Sequence, residues 1–517
     1  MSSFFRTRRA ALVAAVVAAS AVPLVAPTAA MAAVGSFDVA DSVFEAKMVE
    51  LGYDNAVDGS MTIADAARVT DLNLAGLAIA DMPNLSYFTS LRTLNLANNT
   101  LIDYFYPTLS GTVTEVNFTG MTNLVQVSLE GAGNATLRFG GNTKMYSLLI
   151  TNSRIESLDL SSLTKLATFS LSSTAVTSLD LSANTKLTGV TAYSNSISTL
   201  KLPVSDTLAS VIVSSNFLSS IDVTGLPNLT GLTISGNRIT TLDVSKNTKL
   251  QNLHAANNEL TSLDLSANPH LNLVDLFNNK LTTFDPGSKP ALNILMLTGN
   301  KLKSVNLAGL PALQQVWLDG NNLASLDVSK NSNLFTLNAS RNKLTRVNVS
   351  ALGLLRTLEL GSNKLSGLNI TGNPLLATLI VDNNKLTKVD LSKSARLSEI
   401  DLSGNAIKSL DLSKLISASN LRVSGNPLKK LDVSKCTWLY SLQIARTSVA
   451  TLSLSRNRFL TYIDVRNTKL KKLDLSKLGR VLYSTAGNKI KFTFSNQKAG
   501  EKDWKIPYVQ YQSGMVS

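Results

Sequence analysis

Leu260-Thr261-Ser262-Leu263-Asp264-Leu265-Ser266 is one copy of a unit that starts again 21 residues later at Leu281. The same alignment extends without insertion to Ile155, Val176, Ile197, Leu218 and Ile239 on one side. On the other it reaches Leu302, Leu323, Leu344, Leu365, Leu386, Ile407, Leu428, Val449 and Leu470. A second unit interleaves with the first, starting at Leu250, Leu271, Leu292, Leu313, Leu334, Leu355, Leu376 and Leu397. The first series is called A and the second B. A fixed period of this size marks an array of stacked repeats rather than a set of independent domains. Composition agrees: 517 residues, 44% hydrophobic and only 6% aromatic, exceed one compact core and point to a core of one aliphatic type at regular spacing.

Within each unit positions 1, 4 and 6 are apolar, as in Leu313-Gln314-Gln315-Val316-Trp317-Leu318. Positions 4 and 6 share one face of an extended strand, so positions 3, 5 and 7 point away from the core. Position 9 of series B is Asn in twelve consecutive repeats: Asn195, Asn216, Asn237, Asn258, Asn279, Asn300, Asn321, Asn342, Asn363, Asn384, Asn405 and Asn426. A carboxamide both donates and accepts, so a buried stack of Asn can satisfy backbone groups freed where each coil turns. The column is expected to be a structural ladder.

These columns resemble the bacterial leucine-rich-repeat class with a nested 10/11 period, sometimes called IRREKO, whose consensus is LxxLxLxxNxLxxLDLxxN. The resemblance implies a leucine-rich-repeat parallel β-solenoid, right-handed, of about 20 repeats, with a short N-terminal helical cap. Series B would form the main sheet and series A a second extended edge. It also implies a secreted or cell-surface protein that works by molecular recognition, often adhesion. The pattern departs at the ends: Ser153 and Thr174 replace the Asn early, Thr447 and Thr468 late, and the spacing loosens at Val69, Leu91 and Val113. Such atypical terminal repeats cap a solenoid.

Residues 1–32 are expected to be a signal peptide. Arg6, Arg8 and Arg9 precede an apolar run from Ala10 to Val25, and Ala30-Met31-Ala32 supplies the small-x-small cleavage pattern, so the mature chain begins at Ala33. Pro23 and Pro27 argue against a membrane anchor, and no later stretch is long and apolar enough to span a bilayer, so no transmembrane span is expected after cleavage. Residues 33–68 form the cap, 69–494 the array and 495–517 a tail containing Trp504, Tyr508 and Tyr511. In the cap, Phe37, Val43, Phe44, Met48 and Leu51 suggest a short amphipathic helix. The run from Asp54 to Asp65 resembles a calcium loop through Asp54, Asp58, Gly59 and Asp65. Ala56 occupies a ligand position and Asp65 stands where a bidentate Glu belongs, so a linking turn is expected.

Ingredients for catalysis are few. The chain has two His, His254 and His270, and one Cys, Cys436, which excludes a His/Cys zinc cluster and an intramolecular disulfide framework. Cys436 sits in a series-A column shared with Asn247, Asn268, Leu310, Asn331, Leu352 and Asn373, where a buried, inert thiol is expected. Thr233, His254 and Asp275 occupy position 5 of successive B units in the order nucleophile, base, orienter, yet on an open strand face. Asp159, Asp180, Asp222, Asp243, Asp264, Asp285, Asp327, Asp390, Asp411, Asp432 and Asp474 fill position 5 of series A. Carboxylates one or two rungs apart have glycosidase-like separations, but recurrence in nearly every repeat suits a structural ladder. No enzyme activity, cofactor or metal site is expected.

Series A repeats the same polar residues, whereas series B varies at its outward positions. Leu273, Phe277, Ile294, Met296 and Trp317 are expected to form one apolar patch across three rungs, flanked by Asp275 and Asp319. A contiguous apolar patch ringed by charge suits a protein or glycan partner. Charge is uneven as well: residues 385–517 hold 24 Lys/Arg against 9 Asp/Glu, concentrated at Arg446, Arg456, Arg458, Arg466, Lys469, Lys471 and Lys472. For an exported chain without base-stacking aromatic ladders, this end suits an anionic cell-wall polymer rather than nucleic acid.

Overall fold

A computed structural model describes residues 35–77, 79, 82–97, 115–130, 136–478, 482–484 and 490–493. The expected signal peptide, the repeat start at Val113 and the tail at 495–517 lie outside these residues.

The chain coils into a parallel β-solenoid of about 18 turns with few helices. Series B supplies the main sheet. Its strands are three residues long over most of the array, at positions 3 to 5, and pair in register with the next coil: Leu273↔Ile294↔Gln315 and Asp275↔Met296↔Trp317. Val274, Leu295 and Val316 at position 4 and Leu276, Leu297 and Leu318 at position 6 are fully buried, so positions 3 and 5 face outward as the alternation requires. Series A pairs as strand mainly toward the ends of the array, for example Ser178–Asp180 with Thr199–Lys201. In mid-array it runs as extended turns with an isolated bridge between Phe284 and Val305.

Each B strand is ended by backbone geometry. Position 8 has positive φ in coil after coil: Asn257 53°, Asn278 53°, Gly299 72°, Gly320 66°, Arg341 50°, Ser362 55° and Asn383 49°. Only Gly escapes the Cβ penalty in that region and Asn tolerates it, which accounts for five of these seven residues, Arg341 and Ser362 being the exceptions.

The ladder then closes the turn. Asn300 Nδ2 donates to the carbonyls of Leu276 (2.9 Å) and Leu297 (3.0 Å), and its Oδ1 accepts from Leu281 N–H (3.0 Å). The same three-way pattern repeats from Asn216 to Asn426, and every member of the column is buried. Series A carries a second, interrupted Asn column: Asn184, Asn247, Asn268, Asn331, Asn373 and Asn457 are fully buried and bond neighbouring-coil carbonyls through Nδ2. Their Oδ1 atoms have no hydrogen-bond partner among the described residues. Leu310, Leu352 and Leu415 take the same column elsewhere.

The N-terminal cap differs in part from its expected form. Helix α1 (Ser42–Glu50) buries Phe44 and Met48, but Phe37 belongs to strand β1 (Ser36–Asp38), and Val43 and Leu51 are exposed. β1 pairs antiparallel with β2 (Ser60–Thr62), and Phe37 stacks on Tyr87 of the first coils at 4.6 Å. The calcium-like loop closes on a carboxylate: buried Glu45 accepts at Oε1 from the N–H groups of Asp58 (2.9 Å), Gly59 (2.7 Å) and Ser60 (3.0 Å). Asp65 is engaged by Thr62 and Arg68. The loop links α1 to β2.

Candidate recognition face

On the B sheet, parallel register sets Leu273 beside Ile294, and Asp275 beside Met296 and then Trp317, at adjacent-strand spacing of about 4.8 Å. The apolar side chains therefore form one surface across three coils. It is less open than the sequence suggests: Leu273, Ile294, Met296 and Trp317 are half-buried, because neighbours above and below shield each rung, and Phe277 is 41% exposed.

The two flanking carboxylates are both engaged. Asp275 Oδ1 accepts from Phe277 N–H at 3.0 Å. Asp319 is buried, not a free charge at the rim: Arg341 Nε donates to its Oδ1 at 2.9 Å and a second guanidinium nitrogen to Oδ2. Position 7 points out of the sheet, but Arg341 reaches back from the next coil and covers it. That bidentate pair accompanies an Arg at a positive-φ position, a strain that favourable pairing offsets.

Sequence reasoning missed a carboxylate group beyond the patch. Glu359 and Asp382 are half-buried; desolvation and neighbouring carboxylates, Asp319 and Asp382 for the first and Asp401 for the second, push both above the usual carboxylate range. Burial raises Asp401 as well, against hydrogen bonds from Ser403 and the charge of Arg422. Gly361 makes this packing possible, since a Cβ there would lie 2.1 Å from Asp382 Oδ1. Along one border of the sheet runs a second missed feature, the exposed lysine column Lys280, Lys301, Lys343, Lys364 and Lys385, all at position 10 of series B. Its regular 21-residue spacing was the available signal.

Neither catalytic alternative shows catalytic geometry among the described residues. His254 Nδ1 lies 3.9 Å from Asp275 Oδ2, beyond hydrogen-bond range, and Thr233 sits on an open strand. In series A the Asp residues cap local turns: Asp243, Asp264 and Asp327 each accept from the N–H two residues on, at 2.9, 2.8 and 2.9 Å. The Asp column is thus mainly a row of local turns within single coils, with Asp180 also bridged to Lys201 of the next coil. These bonds hold the carboxyls below the usual range, Asp180 at about 2 through Ser182 and Lys201. A depression of about 290 Å³ lies between Asp243 and Asp264, whose carboxyls the N–H groups of Ser245 and Ser266 hold below the usual range. Cys436 is fully buried and its thiol is pushed up to about 11, an unreactive state.

Among solved structures the chain is similar to YopM from Yersinia enterocolitica, at 19% identity and a TM-score of 0.62, covering 83% of this chain and 90% of that one. It is similar to the plant peptide hormone receptor RGFR1, solved with RGF2, at 18% identity and a TM-score of 0.62, covering 82% and 78%. This is a leucine-rich-repeat fold. The functional domain of InlJ from Listeria monocytogenes also aligns, at 22% identity and a TM-score of 0.48 over 86% and 78%. No family model and no curated protein matches the sequence. Identities at this level show the leucine-rich-repeat architecture alone, so the role of the B face rests on its own residues.

Proposed function

We propose that the chain is an exported, non-catalytic recognition protein that binds a protein partner through the B face. The observation that carries this reading is the contrast between the two edges: series A repeats turn-capping Asp and Ser, while series B sets Leu273, Ile294, Met296 and Trp317 side by side next to half-buried carboxylates. A partner that places an apolar side chain over Met296 and Trp317 and a cationic one near Glu359 and Asp382 satisfies both halves. Large aromatic anchors in such settings carry much of the energy of an interface. The plant receptor that shares the fold is held in complex with RGF2, which supports a protein-binding role.

No helix among the described residues is long and apolar enough to cross a membrane. The leader-like pattern of residues 1–32 supports release from the cell or surface association, and the excess of 24 Lys/Arg over 9 Asp/Glu in residues 385–517 supports retention on an anionic cell-wall polymer. A glycan in place of a protein on the B face, or passive retention with no partner there, are the competing outcomes. Capture from host extracts and from bacterial wall material, using wild-type chain and a Met296→Glu variant, separates them. A protein retained by the first and lost with the second supports the proposal. Capture of wall material alone, equally by both, refutes it.

A further inference from the structure

Trp438 and Phe459 occupy the same position of consecutive coils, one residue ahead of the buried Leu439 and Leu460. Their rings stack with centroids 5.0 Å apart and planes 3° from parallel. They are 61% and 55% exposed, and Tyr440 next to them is 56% exposed. Core packing has no use for such rings. The preceding coil has Ser417 at the same position, too small to cover the outer indole face.

Three residues before each ring stands a cation in a column of its own. Position 8 of series A is basic in five consecutive coils, Lys393, Lys414, Lys435, Arg456 and Lys477, all exposed. At about 4.8 Å per coil these form a line of charge roughly 20 Å long. In four of the coils Asp390, Asp411, Asp432 or Asp474 tempers it. The coil with Phe459 has Ser453 there instead, so Arg456 and Arg458 stand without a carboxylate partner among the described residues. Uncompensated charge and exposed aromatic surface therefore coincide.

We propose that this edge is a docking track for an anionic polysaccharide. The outer aromatic faces take the apolar face of a sugar ring, and the basic column holds the carboxylate, sulfate or phosphate groups that follow along the chain. The proposal rests on the reading of the basic end as facing an anionic polymer and adds the place and the contacts. A linear track with one cation per coil fits a linear polymer with charge at regular intervals. A bilayer would call for apolar side chains spread over an area, whereas here the rings lie within two coils of one edge. Single-stranded nucleic acid stacks its bases between aromatic rings, and these two rings are already stacked on each other.

The test uses the purified chain with carboxymethyl dextran, neutral dextran of the same length, phosphatidylglycerol vesicles and oligo-dT. Charged dextran should bind at least tenfold tighter than neutral dextran at about 0.15 M salt, and weaken steeply as salt rises. Trp438→Ala should lose at least fivefold while Trp438→Phe stays near wild type, and the pair Arg456→Gln with Arg458→Gln should flatten the salt dependence. Because these side chains are exposed, all variants should unfold at the wild-type midpoint. Charged dextran binding that ignores Trp438→Ala overturns the track and leaves the basic-end reading standing. Equal binding of charged and neutral dextran overturns both. Vesicles or oligo-dT as the tightest probe, with the loss at Trp438, overturn the polysaccharide as occupant.

Discussion

Replacing Asn300 with Ala should destabilise the array far more than replacing Asn331 with Leu, although both are buried Asn in regular columns. Asn300 makes three bonds of 3.0 Å or less. Two go to carbonyls that keep another donor, since Leu276 O also accepts from Asn279 and Leu297 O from Asn321. The third satisfies Leu281 N–H, which the Ala variant leaves orphaned in a buried turn. An orphaned buried donor costs about 1–3 kcal/mol and each lost bond with a surviving alternative about 0.5–1, so the total is roughly 2–5 kcal/mol. Asn331 makes two bonds, to Leu307 O and Leu310 O at 2.9 Å each, and both carbonyls also accept backbone N–H groups. Its Oδ1 is buried without a protein partner, and Leu310 and Leu352 show that the column holds Leu, so Asn331→Leu should stay within about 1 kcal/mol. Thermal and urea unfolding measure both, and amide exchange at Leu281 should accelerate in Asn300→Ala alone. Equal losses in the two variants would refute the distinction between a turn-closing column and a space-filling one.

Two further outcomes follow from buried charge. Lys289 takes the series-A Asn column, is 2% exposed, and its Nζ finds only Ser288 O at 3.4 Å, so Lys289→Leu should stabilise the chain by roughly 1 kcal/mol or more in urea unfolding; a loss would show that Asp264 and Asp285 neutralise it adequately. Asp382 has a folded pKa above its unfolded one, so its contribution to stability is present at acid pH and lost as pH rises through the folded value. Asp382→Asn should therefore raise the unfolding midpoint at pH 7, with the gain shrinking as pH falls through the raised folded value and gone below about pH 4; a gain that does not change with pH would assign the effect to packing.

Most of the fold was legible because each coil repeats the same physical problem. Apolar positions 1, 4 and 6 set the core, and the Asn at position 9 declared the turn. What stayed hidden depends on contacts across coils. Asp319 read as a rim charge because its cover, Arg341, lies 22 residues on and reaches backward. The stack of Trp438 on Phe459 and the column from Lys393 to Lys477 follow 21-residue spacings, but which side chains meet and stay exposed depends on directions that spacing alone leaves open. The crowding of Glu359, Asp382 and Asp401 needs burial as well as spacing, which no single sequence supplies. The Asp column of series A was legible in its residues, and the Ser two positions on closes the turn within the coil.

The central claim, that the B face is the recognition surface, is tested most directly by the affinity of the captured partner for wild-type and Trp317→Ala chains. Trp317 is half-buried between Met296 and Asn338 and its neighbours Val316 and Leu318 hold the core, so truncation should leave the unfolding midpoint close to wild type. Loss of a central aromatic anchor costs roughly 2–4 kcal/mol, so the dissociation constant should rise at least tenfold. Asp243→Ala, on the opposite edge, should leave it unchanged. An unchanged dissociation constant for Trp317→Ala with the chain still folded would contradict the claim and make the apolar patch an ordinary surface of the solenoid.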